Sequence, residues 1–189
     1  MARALAPLGI RRAWVSPLGR AQQTARIHAE ELGIEWETLE ALREVSFGDF
    51  EGKTLPELEE AYPGMWQARR LDKWNYRPPG GESNRDAVER ALEVVQRIVD
   101  LEEDAPRLII AHFAINRIVI ALLAEMEPEL TMEMNVPHEV IYRVQKQGER
   151  WDVGYRYADG SDGMEFQSGW LVQEVSENQP EARGLSPTS

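Results

Sequence analysis

The chain contains no cysteine. A disulfide, a thiolate nucleophile and a zinc–cysteine centre are therefore all excluded, and we expect a cytoplasmic location. An excess of positive charge is also missing, because the net charge is −12. Such a field repels polyanions, so we predict neither a nucleic-acid partner nor binding to an anionic membrane surface. A small anionic substrate stays possible, since it responds to the local field of a few arginines.

A long, uninterrupted apolar run is absent as well. The stretch from Leu108 to Ala124 is the longest apolar one, and it contains His112, Asn116 and Arg117. These three side chains would be costly in hydrocarbon, so the stretch predicts a core element and no membrane span. Residues 4–10 are too short and too interrupted to predict a signal peptide.

The length and composition are those of one soluble globular domain. A chain of 189 residues with 42% apolar residues can bury a sizeable core. From about residue 174 the composition turns to Ser, Asn, Gln, Pro and Glu. We therefore predict a single domain over residues 1–172 and a flexible polar tail over residues 173–189.

The most informative stretch runs from Arg107 to Arg117. Residues 108–111 form a short apolar run that predicts a strand buried on both faces, and the apolar residues behind it predict a core helix. His112 would then lie where a strand turns into a helix, which in open α/β sheets lines the ligand crevice. Helix amides at such a junction favour an anion. The alternative is a core histidine that caps the strand.

A second stretch, residues 16–25, predicts the start of another helix. Ser16 is a suitable N-cap and Pro17 suits the first helical position, so the helix should run to about Glu31. Arg20 then falls in the first turn, where a cation opposes the helix dipole. It either reaches away to solvent or, with the helix terminus, holds a phosphate or carboxylate.

Two further segments carry candidate residues. The loop over residues 42–52 combines two glycines with aromatic and acidic side chains, and Glu44 could protonate a leaving group if it is not simply a surface acid. Residues 66–77 form an island of positive charge that ends at Arg77. A small anionic ligand or internal ion pairs explain this island better than single-stranded nucleic acid does, given the acidic chain.

Local patterns predict the remaining elements. Ser83 and Asp86 have the spacing of a capping box and open an amphipathic helix. Residues 140–145 and 151–157 predict a β-hairpin.

Taken together, several of these blocks resemble the histidine phosphatases, the phosphoglycerate-mutase-like proteins. The blocks occur in the family's order and are Ser16-Pro-Leu-Gly-Arg20-Ala-Gln-Gln-Thr-Ala, Leu42-Arg-Glu44 with Phe47-Gly48 and Glu51-Gly52, Pro79-Gly-Gly-Glu-Ser83, and Ala111-His112. The segment Asp72 to Ser83 also resembles the bisphosphatase part of the fructose-2,6-bisphosphate enzymes.

This resemblance implies a three-layer α/β/α sandwich with a mostly parallel mixed sheet and a phosphohistidine mechanism. A nucleophilic histidine in an Arg-His-Gly motif accepts the phosphoryl group, while arginines and a second histidine hold it. Carried over to this sequence, Arg20 is a clamp arginine, Glu44 the proton donor and His112 the second histidine. Arg77 and Arg117 could contact the substrate beyond the phosphate, or be structural. Neither a metal nor another cofactor is implied.

Two departures from the family pattern affect the expected function. Phe113 follows the second histidine, where the family often has a small or polar residue, and it could reshape the pocket. No Arg-His-Gly triplet occurs in the chain. We therefore expect that the first, central strand and its nucleophile, roughly thirty residues with the following loop and half-helix, precede Met1. A sheet without that strand would have two open edges, which makes self-association possible.

Three functions follow as hypotheses. The first is a phosphomonoesterase of small phosphorylated metabolites whose nucleophile lies outside these residues. The second is a non-catalytic module of the same fold that binds phosphate esters or a protein partner. The third is a phosphoglycerate mutase.

Overall fold

The computed structural model describes residues 1–101 and 106–173, so residues 174–189 of the predicted tail lie outside the described residues. The helices are α1 (Ala2–Leu5), α2 (Gly19–Leu32), α3 (Leu55–Ala61), α4 (Met65–Leu71), α5 (Asn84–Val99), α6 (Phe113–Leu123) and α7 (Pro128–Glu133). The strands are β1 (Arg12–Val15), β2 (Glu35–Thr38), β3 (Arg107–Ile110), β4 (Met134–Asn135), β5 (Val140–Gln147), β6 (Arg150–Tyr157), β7 (Gln167–Ser168) and β8 (Leu171–Val172). Short 3₁₀ turns cover Ala6–Leu8, Glu40–Leu42 and Gly48–Phe50.

A parallel three-stranded sheet positions the site. Its order is β2-β1-β3, and Val15 of β1 is in register with Ile110 of β3. Because the strands are parallel and in register, the residues that follow them emerge at the same edge of the sheet. Ser16 and His112 are thereby brought together, although 96 positions separate them.

An antiparallel sheet of order β5-β6-β7 accompanies the parallel one. The β5–β6 hairpin pairs Val140 with Tyr157 and Gln147 with Arg150, which confirms the predicted hairpin. A short β4–β8 ladder lies beside it.

Successive side chains of a strand point to opposite faces of the sheet, so the parallel sheet contributes to two cores. Helices pack against both faces. Ala13, Val15 and Ile141 pack in one core, which includes residues of α1 and α2. Trp14 packs in the other core, which includes residues of α5 and α6. Leu108 and Ile110 of β3 border the first core, and Ile109 borders the second. The predicted three-layer α/β/α architecture is confirmed.

Strand β3 differs from the prediction in its burial. The sequence predicted a strand buried on both faces, yet Arg107, Leu108, Ile109 and Ile110 are all only half-buried. The physical reason is that β3 has one partner, because within the described residues it pairs only with β1. Strand β5 is likewise an edge strand, since it pairs only with β6 within the described part of its sheet. Each strand therefore presents an unpaired edge.

The helix starts show one confirmed prediction and one wrong one. The Ser83 hydroxyl accepts a hydrogen bond from the Asp86 amide, and the Asp86 carboxylate accepts one from the Ser83 amide, as a capping box requires. Ser16, however, does not cap α2, which begins at Gly19 with Leu18 as N-cap. Ser16 lies three residues before the helix begins, and its hydroxyl forms a hydrogen bond with the His112 ring.

No helix within residues 1–101 and 106–173 is both long and apolar enough to cross a membrane.

Candidate active site

Arg20 and His112 meet at the carboxyl edge of the parallel sheet. The Arg20 Nε atom donates a hydrogen bond to His112 Nδ1 over 3.0 Å. Arg20 lies in the first turn of α2, and His112 is the N-cap residue of α6. Since α2 follows β1 and α6 follows β3, the pairing of those two strands brings the guanidinium and the imidazole together. Arg20 is exposed and His112 is buried, so the pair links the protein surface to the interior.

The partners of His112 fix its tautomer. An arginine nitrogen can only donate, so Nδ1 must accept and the proton of the neutral ring lies on Nε2. That nitrogen then donates to the Ser16 hydroxyl oxygen at 2.7 Å, and the same oxygen accepts from the Leu18 amide. Burial, together with the positive charges of Arg20 and His138, lowers the pKa of His112 to about 4. At neutral pH the unliganded site therefore presents a neutral imidazole.

Glu44 lies at the start of α6, next to His112. Its carboxylate accepts hydrogen bonds from the amides of Ala114 and Ile115, both at 3.1 Å, and from its own neighbour Val45 at 2.9 Å. A helix N-terminus favours negative charge, so the protein's own carboxylate supplies the anion that these amides hold. The amides of Ala114 and Ile115 are therefore already occupied, and an anion bound at this junction needs a side-chain donor such as Arg20.

Arg117 is a buried cation one turn further along α6. It is 7% exposed, and its Nη2 donates to the Asn84 side-chain oxygen over a long 3.5 Å. Its guanidinium carbon lies 5.2 Å from the centre of the Phe113 ring, and its Nε has no hydrogen-bond partner among the described residues. Burial lowers the pKa of Arg117 to about 10, against the opposing charge of Glu44 and with the like charge of Arg69. An incompletely bonded buried guanidinium is suited to binding an anion.

The structure does not bring Arg77 into this cluster. Its guanidinium is mostly exposed and is paired with Asp86, the capping carboxylate of α5. This pairing matches the structural alternative for Arg77, while its substrate contact stays a prediction without geometric support. Phe113 does lie at the site, where its ring contacts the Arg117 guanidinium.

The other two histidines occupy different surroundings. His28 is buried in α2, and its pKa is lowered by burial and by the nearby N-terminal amine, against the opposing charge of Glu31. His138 is exposed, yet its charge is among those that depress the pKa of His112.

Sequence reasoning missed Ser16 as a site residue, because a serine before a proline is typical of a helix N-cap. Its position just after strand β1 could have indicated a site role, because His112 likewise lies just after strand β3. Asn84, the partner of Arg117, was also missed. Among residues 1–101 and 106–173, no group of three or more His, Asp or Glu side chains is arranged to hold a metal ion.

These features define the class of protein: an α/β sandwich with a cluster of arginine, histidine and glutamate at the carboxyl edge of its parallel strands. The family model of the histidine phosphatase superfamily, branch 1, matches residues 1–158. The chain belongs to this superfamily.

Two relatives illustrate the similarity in sequence. The chain is 37% identical over 132 residues to the fructose-2,6-bisphosphatase of Saccharomyces cerevisiae, covering 70% of this chain and 28% of that protein. It is 34% identical over 131 residues to the 6-phosphofructo-2-kinase/fructose-2,6-bisphosphatase of Gallus gallus, covering 69% of this chain and 26% of that protein. The chain thus spans little more than a quarter of the length of either relative.

Solved structures show the same fold. A mycobacterial glucosyl-3-phosphoglycerate phosphatase matches with a TM-score of 0.68 and 24% identity, over 80% of this chain and 78% of that one. The α-ribazole phosphatase of Shigella flexneri matches with a TM-score of 0.68 and 22% identity, over 79% and 76%.

Proposed function

We propose that this domain belongs to a phosphomonoesterase that acts on small phosphorylated metabolites through a phosphohistidine intermediate. The observation that carries the proposal is the hydrogen bond from Arg20 to His112, two residues 92 positions apart that share one edge of the sheet. The carboxylate of Glu44 is bound at the start of α6, the helix whose N-cap residue is His112.

In this proposal Arg20 binds the oxygens of the phosphoryl group, and His112 contacts a further oxygen. Glu44 is a carboxylate in the free site and must be protonated when the substrate binds. A histidine nitrogen then attacks phosphorus, the bond to the leaving oxygen breaks, and the Glu44 carboxylic acid gives that oxygen its proton and becomes a carboxylate. Water then attacks the phosphohistidine, Glu44 takes a proton from the water, and phosphate and the free histidine are released. The Arg20 guanidinium supplies positive charge to the equatorial oxygens, and the neutral imidazole of His112 contributes polar contact.

We propose that the attacking histidine comes from a segment outside the 189 residues, because neither His28 nor His138 follows a strand of the parallel sheet. Such a segment would add as a strand to the unpaired edge of β3. The half-buried apolar side chains of β3 and its single partner support this placement.

The substrate class we infer is a metabolite with a second anionic group. The support is Arg117, a buried guanidinium with an unpartnered Nε, and the nearby charge of Arg69, which depresses its pKa. An anion bound near Arg117 would offset the repulsion that the charge of Arg69 exerts on it. The sequence relatives named as bisphosphatases agree with this class.

Genomic sequencing upstream of the Met1 codon, followed by assay of the encoded full-length protein, tests the proposal. An in-frame apolar strand ending in Arg-His-Gly supports it. The full-length protein should then hydrolyse p-nitrophenyl phosphate and form an acid-labile phosphoprotein, and Arg20→Met should lower kcat/KM by about 10²–10³-fold. The 189-residue chain alone should show negligible turnover; rapid hydrolysis by it would contradict the placement of the nucleophile.

A non-catalytic binding module is the second candidate, favoured by one observation: the 189 residues contain no Arg-His-Gly triplet. A stop codon directly upstream of Met1, together with saturable phosphate-ester binding and no turnover, would support this candidate over the phosphatase.

A further inference from the structure

Arg90 of α5 forms a two-pronged ion pair with Glu82. Its Nε donates to Glu82 Oε1 and its Nη2 to Glu82 Oε2, both at 2.9 Å. The pair is only partly exposed, with 23% of the arginine side chain and 28% of the glutamate side chain accessible. Its remaining bonds all lead to one segment of backbone.

That segment carries Glu44. Arg90 Nη1 donates to the carbonyl oxygens of Ala41 and Arg43 at 2.8 and 2.7 Å, and Nη2 lies 3.3 Å from the carbonyl oxygen of Glu44 itself. On the other side of Glu44, the Ser46 amide donates to the Glu82 carboxylate at 3.0 Å. The ion pair therefore holds the backbone both before and after Glu44.

The carboxylate of Glu44 is held by α6, because the Ala114 and Ile115 amides at the start of that helix donate hydrogen bonds to it. Helix α5 thus fixes the backbone of Glu44 and helix α6 fixes its oxygens. A planar guanidinium with five N–H donors can satisfy a carboxylate and three carbonyls together, which an ammonium group cannot do with the same geometry.

We propose that Arg90 and Glu82 are positioning residues for Glu44, an inference that rests on the proposed role of Glu44 as proton donor. A general acid must lie within hydrogen-bond reach of the leaving oxygen, and a misplacement of about 1 Å costs about 10²-fold in rate. Neither residue contacts the reacting atoms; both act through the backbone on either side of Glu44.

The first test uses the 189-residue chain and needs no activity. The amide resonances of Ala114 and Ile115 report the Glu44 carboxylate, because both amides bind it. Arg90→Lys should shift both resonances and change their pH titration. The control is Arg97→Lys on the same helix, because the ion pairs of Arg97 with Glu37 and Glu93 lie at the surface. Equal, small shifts in both variants would overturn the positioning role.

The second test uses the full-length protein and two leaving groups. An alkyl ester such as glycerol 3-phosphate needs a proton donor, whereas the activated aryl leaving group of p-nitrophenyl phosphate needs little help. Arg90→Lys should lower kcat on the alkyl ester by about 10²-fold and on the aryl ester by much less, with KM little changed. A merely structural role would lower both rates equally, and that result would overturn the inference.

The Glu44→Gln variant distinguishes a failure of the proton-donor role of Glu44 from a failure of the positioning role of Arg90. If Glu44→Gln slows both esters equally, the proton-donor role in the proposed function fails. The amide shifts in Arg90→Lys would still decide whether Arg90 positions the carboxylate.

Discussion

Lowering the pH from 7 to 5 should destabilise the folded domain through His112. The pKa of His112 is lowered to about 4 in the folded state by its burial and by nearby positive charges, whereas an unfolded histidine titrates near 6.5. Between these two pKa values, His112 is therefore protonated in the unfolded chain and neutral in the folded chain. For a depressed histidine pKa, stability is fully present above about 6.5 and is lost as the pH falls toward the folded value.

The magnitude follows from these two values. Between them the free energy of unfolding falls by about 1.4 kcal/mol per pH unit for one histidine, so lowering the pH from 7 to 5 costs about 2 kcal/mol. His28 has a lowered pKa as well and acts in the same direction. The carboxyls with lowered pKa values, such as Glu82 and Asp86, lose their contribution only at lower pH.

Urea unfolding of wild type, His112→Gln and His28→Gln at pH 7 and pH 5 measures this effect. The loss of unfolding free energy between the two pH values should be about 2 kcal/mol smaller in His112→Gln than in wild type. His28→Gln reports the separate contribution of the second buried histidine. If His112→Gln loses as much stability as wild type over this range, His112 is not the neutral, Arg20-bonded imidazole described here.

Three further outcomes are expected. A Cβ on Gly48 would collide with the Pro79 carbonyl, whereas one on Gly52 meets open space at a similarly positive φ, so by urea unfolding Gly48→Ala should cost about 3 kcal/mol and Gly52→Ala about 1 kcal/mol. In isothermal titration, Arg117→Met should weaken binding of a sugar bisphosphate by about 10–100-fold and leave inorganic phosphate within about twofold, and an equal loss for both would contradict a second anion subsite. The unpaired edges of β3 and β5 should make the 189-residue chain self-associate in size-exclusion chromatography with light scattering, and a monodisperse monomer would contradict this.

The parts of the fold that depend on neighbours in sequence could be predicted. The capping box of Ser83 and Asp86 joins residues three apart, and the β5–β6 hairpin joins segments separated by one turn. Local propensity and hydrophobic period carry this information. The strand–helix junction at His112 was predictable for the same reason.

Features set by distant partners could not be predicted in this way. Ser16 has the local pattern of a helix cap, but its hydroxyl is taken by His112 from across the sheet. The burial of β3 depends on how many strands flank it, which its own four residues do not encode. Arg77 and Arg117 looked equivalent as candidates in the sequence, and only the packing separates the exposed ion pair from the buried cation.

The central claim is that Arg20 and His112 hold one phosphoryl group together. Its most direct test is the ¹⁵N resonances of the imidazole rings, followed in wild type and Arg20→Met at pH 7 during a titration with inorganic phosphate. In wild type the His112 resonances should move saturably while those of His28, buried elsewhere in α2, stay fixed, and Arg20→Met should abolish the response. His112 resonances that do not respond to phosphate in wild type, or that respond equally in Arg20→Met, would contradict the claim.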